Sequence, residues 1–228
     1  MYDIELKYEN AIPVVFATDK NFIPYLYVAI QSLVDNSSEK NNYDIVILYS
    51  NVEEYKRNQF KELEKENISI RFYDMSELMA EYKDVWYTHW SYTDSVYYRF
   101  FIPQLFKNYK KVLFMDADII INCDIANLYY ENIGENQVGA VVGLARQVDE
   151  DWHRDYIENV LQIEYDKYFN AGIIVFNIEK IDTKFFSDTC INKLVELKDP
   201  PMQDQDVFNL IFKNKVRYLN CSYNLTWN

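Results

Sequence analysis

The chain has 228 residues, nearly half of them apolar, enough for one large folded domain with a substantial core. Its formal charge of -13, from 36 acidic against 23 basic residues and with no basic run, excludes a nucleic-acid partner, whose phosphates it would repel. Cys123, Cys190 and Cys221 are few and far apart, which suits free thiols in a reducing compartment and excludes a disulfide framework or a CxxC metal site.

From the N-terminus, short β-rich runs alternate with longer amphipathic ones. Ile12 to Ala17 reads as a strand, Ile23 to Val34 as a helix, Asp44 to Tyr49 as a strand, Val52 to Lys65 as a helix and Ile68 to Tyr73 as a strand. Thr93 to Phe106 reads as helical despite Pro103, and Lys111 to Met115 as the next strand. These are successive βαβ units, as in a mononucleotide-binding sheet, where ligands sit beyond the carboxyl ends of the strands. The second half is less regular. It holds a strand at Val138 to Leu144, a polar helix at Asp149 to Leu161, a strand at Gly172 to Asn177, helices at Thr183 to Leu197 and Asp204 to Phe212, and a strand at Val216 to Leu219. No linker, repeat or low-complexity tract divides the chain, so the reading is a single α/β domain over residues 1–228. The polar, acidic N-terminus lacks the parts of a signal peptide and no apolar run reaches transmembrane length. The expectation is a cytoplasmic protein, at most peripheral at the inner face of the membrane.

The densest chemical signal is Val112-Leu113-Phe114-Met115-Asp116-Ala117-Asp118, an apolar strand running into two carboxylates. Strand alternation predicts that Asp116 and Asp118 point the same way, offering two hard oxygen ligands to Mn²⁺ or Mg²⁺. The spacing alone is unselective, because Asp149-Glu150-Asp151 and Asp204-Gln205-Asp206 share it. Only the first ends a buried run, where carboxylates are costly unless a cation, hydrogen bonds or water compensates them. Glycine occurs only at positions 134, 139, 143 and 172, so no GxGxxG or GxxxxGK phosphate loop exists. A diphosphate would instead be gripped by carboxylates through a divalent cation. Asp19 and Asn21 follow the first strand and would share a crevice with Asp116 and Asp118, although either also suits the N-cap of the helix that begins near Phe22. Arg99, among Tyr97, Tyr98, Phe100 and Phe101, needs an anionic partner, either a ligand or an acid such as Asp94 or Asp116. Asn170-Ala171-Gly172 combines small residues at a strand entry, for close backbone approach to a ligand or simply for a turn. Asp204 and Gln205 open a helix, whose free amides favour a carboxylate.

Tyr98-Arg99-Phe100-Phe101-Ile102-Pro103-Gln104-Leu105, then Lys111 to Asp118, then Asp124-Ile125 and Leu128-Tyr129 resemble the central block of glycosyltransferase family 8. The likeness extends, in order and spacing, to Phe16-Ala17-Thr18-Asp19-Lys20-Asn21, Tyr168-Phe169-Asn170-Ala171-Gly172 and Gln203-Asp204-Gln205-Asp206. It implies the single-domain GT-A fold, with a mixed, mostly parallel central sheet flanked by helices. It also implies transfer of a hexose from UDP-glucose or UDP-galactose to a saccharide or glycolipid acceptor, with retention at the anomeric carbon. By this resemblance Asp116 and Asp118 are the metal ligands, holding Mn²⁺ or Mg²⁺ against the UDP diphosphate. Ala17, Thr18, Asp19, Asn21, Arg99 and Ala117 become further UDP contacts, and Arg99, Asn170, Ala171, Gly172, Asp204 and Gln205 surround the donor sugar. Asp204 would bond the sugar hydroxyls. Gln205 would face the anomeric carbon opposite the leaving group and stabilise an oxocarbenium-like centre, while attack comes from the side of the departing phosphate.

One departure from the family pattern stands out. Its H-x-G-x-x-K-P-W segment, source of a third metal ligand, has no match, and His89 and His153 lie upstream and read as non-ligand residues. The expectation is a catalytic domain lacking that C-terminal segment. Two alternatives remain open at this point. One is a catalytically silent nucleotide-sugar-binding protein of the same fold. The other is a haloacid-dehalogenase-type phosphatase with Asp116 as nucleophile, which is opposed by the position of the motif far from the chain start.

Overall fold

In the computed structural model, which describes residues 3–5, 7–8, 10–87, 93–143 and 150–225, the β-rich runs assemble into one seven-stranded sheet. In chain order the elements are β1 (Ile12–Thr18), α1 (Ile23–Asn36), β2 (Tyr43–Tyr49), α2 (Glu54–Gln59), β3 (Ile68–Asp74), α3 (Ser76–Ala80), α4 (Ile102–Leu105), β4 (Lys111–Met115) and α5 (Ala126–Tyr129). They continue with β5 (Val138–Val142), α6 (Glu150–Asp155), β6 (Phe169–Asn177), α7 (Phe186–Leu197), α8 (Gln203–Ile211) and β7 (Val216–Tyr218). The strand order is β3-β2-β1-β4-β6-β5-β7. β3, β2, β1 and β4 run parallel, β6 is antiparallel to both β4 and β5, and β5 and β7 are parallel.

The near-continuous apolar strands follow from burial on both faces. Within β1, Ile12, Val14 and Phe16 point into the core beneath α1, while Val15 points into the opposite core with Phe114, Phe100 and Phe208. Asp116 donates its backbone N–H to Gly172 O at 2.8 Å, one step beyond the Met115–Ile173 pair. The start of β6 is thereby drawn to the carboxyl ends of the parallel strands.

Several sequence expectations need correction. The helix expected over Val52 to Lys65 is α only over Glu54–Gln59, then tightens to a 3₁₀ turn at Phe60–Leu63. That turn stacks Phe60 and Leu63, three residues apart, and both are buried. Thr93 to Phe106 is a 3₁₀ helix over Asp94–Phe101 followed by the short α4. Pro103 lies in the first turn of α4, where a missing N–H costs nothing. β6 begins at Phe169 rather than Gly172, because β5 pairs with it there, Val142 against Phe169, while the Asn209 side chain satisfies the backbone groups that Phe169 turns the other way. The polar helix beginning at Asp149 gives way after α6 to a π turn at Tyr156–Val160, and Asp149 itself lies outside the described residues, as do Leu144 and His89. His153, in this polar helix, is fully buried, edge-on to Tyr165 and Tyr168. Among the described residues no helix is long and apolar enough to cross a membrane.

Candidate active site

β4 stops at Met115, and Asp116, Ala117 and Asp118 leave the sheet in a turn. Pleat alternation therefore does not govern the acidic pair: Asp116 is half-buried, Ala117 buried and Asp118 exposed. The two carboxylates remain close enough to influence one another. Burial raises the Asp116 pKa, the Arg99 guanidinium opposes the rise, and the Asp118 charge adds to it.

Arg99 is the hub of the site. Its Nη2 donates to Asp116 Oδ1 at 2.9 Å and its Nη1 to the Ala171 carbonyl at 2.8 Å, while Nη1 lies 3.0 Å from Asp204 Oδ2. Its guanidinium also lies over the Phe114 ring, 4.4 Å from the centroid. Of the two acids considered as ion-pair partners, Asp116 is one and Asp94 is not; burial and the repelling charge of Asp19 raise the Asp94 pKa. Burial works against the charge on Arg99, but Asp204, Asp116 and Asp118 more than offset it and raise its pKa. The Arg99–Asp204 pair is close but misaligned: Asp204 Oδ2 and Arg99 Nε are buried without a hydrogen bond among the described residues. Two polar atoms of the hub thus lack the hydrogen bond that buried polar groups ordinarily have. Burial pushes the Asp204 carboxyl up to about 7, with Arg99 opposing and Asp116 adding to the shift.

The first residues of β6, Asn170–Gly172, pack directly on this hub. Gly172 N–H donates to Asn170 Oδ1 at 2.7 Å, and a Cβ on Gly172 would stand 2.5 Å from Asp116 Oδ2, so only glycine fits there. Ala171 N–H donates to Gln205 Oε1 at 3.0 Å, and Gln205 Nε2 donates to the Tyr168 hydroxyl at 3.1 Å. The hydroxyl donates in turn to Asp206 Oδ1 at 2.6 Å. Asn170, Ala171, Gly172, Asp204 and Gln205 therefore converge with Arg99 and Asp116.

The residues after β1 form a second, adjoining group. β1 lies beside β4, with Phe16 opposite Met115, so Ala17, Thr18 and Asp19 open at the same end of the sheet as the acidic pair. Asp19 Oδ1 accepts the backbone N–H groups of Asn21 and Phe22 and so secures the entry to α1, while Oδ2 accepts from Thr93 Oγ1. Asp19 thus closes the turn ahead of α1 rather than capping it, since the N-cap is Phe22 and has no side-chain cap hydrogen bond, and the Asn21 side chain stays exposed. Sequence reasoning assigned no role to Tyr168, Asp206 or Thr93. Asp206 did carry a signal, an acid followed by Val207 and Phe208 inside a helix, where only a bonded carboxylate is tolerable.

Asp116, Asp118 and Asp204 set three carboxylates against one guanidinium, an excess of negative charge that suits a divalent cation. Among the described residues no group of three His, Cys, Asp or Glu side chains has the geometry of a metal cage. Asp116 and Asp118 are the carboxylates expected to hold a cation, and Asp116 is already engaged by Arg99.

The family model for glycosyl transferase family 8 matches residues 13–228. A lipopolysaccharide 1,3-galactosyltransferase of Salmonella typhimurium is 30% identical over 222 residues, covering 92% of this chain and 62% of that protein. The solved apo structure of the WbbM bifunctional glycosyltransferase has a TM-score of 0.83 at 27% identity, covering 96% of this chain and 40% of that one. The galactosyltransferase LgtC, solved with donor and acceptor sugar analogs, has a TM-score of 0.76 at 22% identity, covering 92% and 74%. It supports the single-domain α/β architecture alone. The chain spans 62–63% of the length of such curated relatives.

Proposed function

The chain belongs to glycosyltransferase family 8, and on that premise we propose that it transfers glucose or galactose from the UDP-sugar to a saccharide or glycolipid acceptor, with retention. The observation that carries this reading is the contact of Arg99 with Asp116, the Ala171 carbonyl and Asp204, all within 3.0 Å. Asp116 and Asp118 would hold Mn²⁺ or Mg²⁺, and the bound cation would neutralise the charge that grows on the diphosphate as the sugar departs. Ala17, Thr18 and Asp19 receive the uridine at the end of β1, where Asp19 keeps one lone pair on Oδ2 for the uracil N–H, and Asn21 reaches the ribose or diphosphate. Asp204, with an unbonded buried oxygen, accepts from sugar hydroxyls. The Gln205 oxygen uses one lone pair on Ala171 N–H and keeps the other for positive charge at the anomeric carbon. A glycolipid acceptor is favoured by the lipopolysaccharide substrate in the description of the Salmonella relative.

The test is UDP release and product formation from UDP-glucose and UDP-galactose with Mn²⁺, offered saccharide and glycolipid acceptors. Asp116→Ala and Asp118→Ala should each lower kcat by about 100-fold or more, the scale of a lost electrostatic stabiliser. UDP binding with no turnover of either donor would retire the transferase reading.

A further inference from the structure

The hydrogen bonds behind Gln205 can be directed by counting protons. Asp206 is fully buried and its carboxylate only accepts: Oδ1 from Tyr168 OH at 2.6 Å, Oδ2 from Tyr156 OH and from Met202 N–H, both at 3.0 Å. Tyr168, also fully buried, has a single hydroxyl proton and gives it to Asp206. It can then only accept from Gln205, so the amide must turn its Nε2 toward Tyr168 and its oxygen toward Ala171 N–H. The flipped amide would set oxygen against a phenol with no proton left, and N–H against N–H. The backbone is fixed from the other side: Asn209 Nδ2 donates to the carbonyls of Gln205 and Phe169, tying this turn of α8 to the start of β6.

We propose that Tyr168, directed by Asp206, is a positioning residue that locks the Gln205 amide with its oxygen toward Ala171 at the start of β6. The inference rests on the reading that Gln205 faces the reacting carbon. Asp206 then serves as an anchor for two phenols and is not free to attack the sugar.

The experiment compares Tyr168→Phe with Tyr156→Phe, which removes a donor from the same carboxylate without touching Gln205. Turnover with the better UDP-hexose and Mn²⁺ is measured alongside hydrogen exchange of the Gln205 side-chain amide, its NMR signal assigned by its loss in Gln205→Ala. Tyr168→Phe should lower kcat by about 10- to 100-fold with the donor KM within about 2-fold, and speed amide exchange about 10-fold. Tyr156→Phe should change both by a much smaller factor. Unchanged exchange and kcat in Tyr168→Phe, or equal effects of the two substitutions, would overturn the proposal. If Gln205→Ala itself keeps turnover, the role of Gln205 at the reacting carbon fails, and the exchange data still judge the orientation separately.

Discussion

Asp204 sits where burial and a single shared cation compete, and its carboxyl rises to about 7 from an ordinary 3.8. The folded protein therefore binds a proton there between about pH 4 and pH 7 that the unfolded chain has released, so stability from this group is full below that window and is lost as pH rises through 7. The slope is at most about 1.4 kcal/mol per pH unit. Asp116 and Asp206, also raised by burial, contribute slopes of the same sign. The expected result is that, without metal or nucleotide, wild type loses more stability between pH 5 and pH 8 than Asp204→Asn, measured by urea unfolding. Equal losses would mean that Asp204 is ionised throughout. Asp204 and Gln205 were legible in the sequence because they form a local pattern beside other local patterns. Tyr168 and Asp206 were not given roles, because a hydrogen bond across 38 residues leaves no spacing to read.

The same distinction holds among elements. All seven strands lie within a few residues of the apolar runs that predict them; burial on both faces leaves a strong pattern in β1, β2 and β4, while edge strand β7 is mostly exposed. The 3₁₀ segments at Phe60–Leu63 and Asp94–Phe101 were read as α-helix, because apolar spacing does not separate a tight turn from a regular one and tertiary packing decides. Asp44 is a further case: it opened a predicted strand with no role attached. It is fully buried in β2 and accepts from Ser69 Oγ at 2.9 Å, from Arg71 Nε at 3.0 Å and Nη2 at 2.6 Å, and from Tyr109 OH at 3.3 Å. Ser69 and Arg71 alternate along β3, so one carboxylate locks the register of β2 against β3 and pins the segment before β4. Asp44→Ala leaves Arg71, itself about one-third exposed, without its partner. We expect a loss of about 3 kcal/mol in urea unfolding, near the low end for a broken buried pair, with nucleotide affinity unchanged. A parallel loss of nucleotide binding would mean that the edge of the sheet reaches the site.

On the scale of the whole molecule, one reversal in the sheet builds the site. The parallel strands β1 and β4 send Asp19, Asp116 and Asp118 out at their carboxyl ends, and antiparallel β6 brings its own first residues, Asn170–Gly172, to the same edge from the opposite direction. A doubly wound reading predicts the crevice but not this reversal, which is set by pairing between distant strands. The assembled edge is strongly anionic, on a chain with a net charge of -13, while the ligand proposed for it is a diphosphate. Arg99 alone cannot balance Asp116 and Asp118, with Asp204 adding charge as pH rises through about 7, and also receive two phosphates. UDP alone should therefore bind weakly and shift the unfolding temperature little, whereas UDP with Mn²⁺ should stabilise clearly, by about 2.7 kcal/mol at a hundredfold excess over Kd. Chelation with EDTA should reverse the shift, and Asp116→Ala or Asp118→Ala should remove its Mn²⁺-dependent part while preserving the fold. A full shift with UDP in EDTA would instead place the phosphates on the protein's own cations, and the two carboxylates would need another explanation.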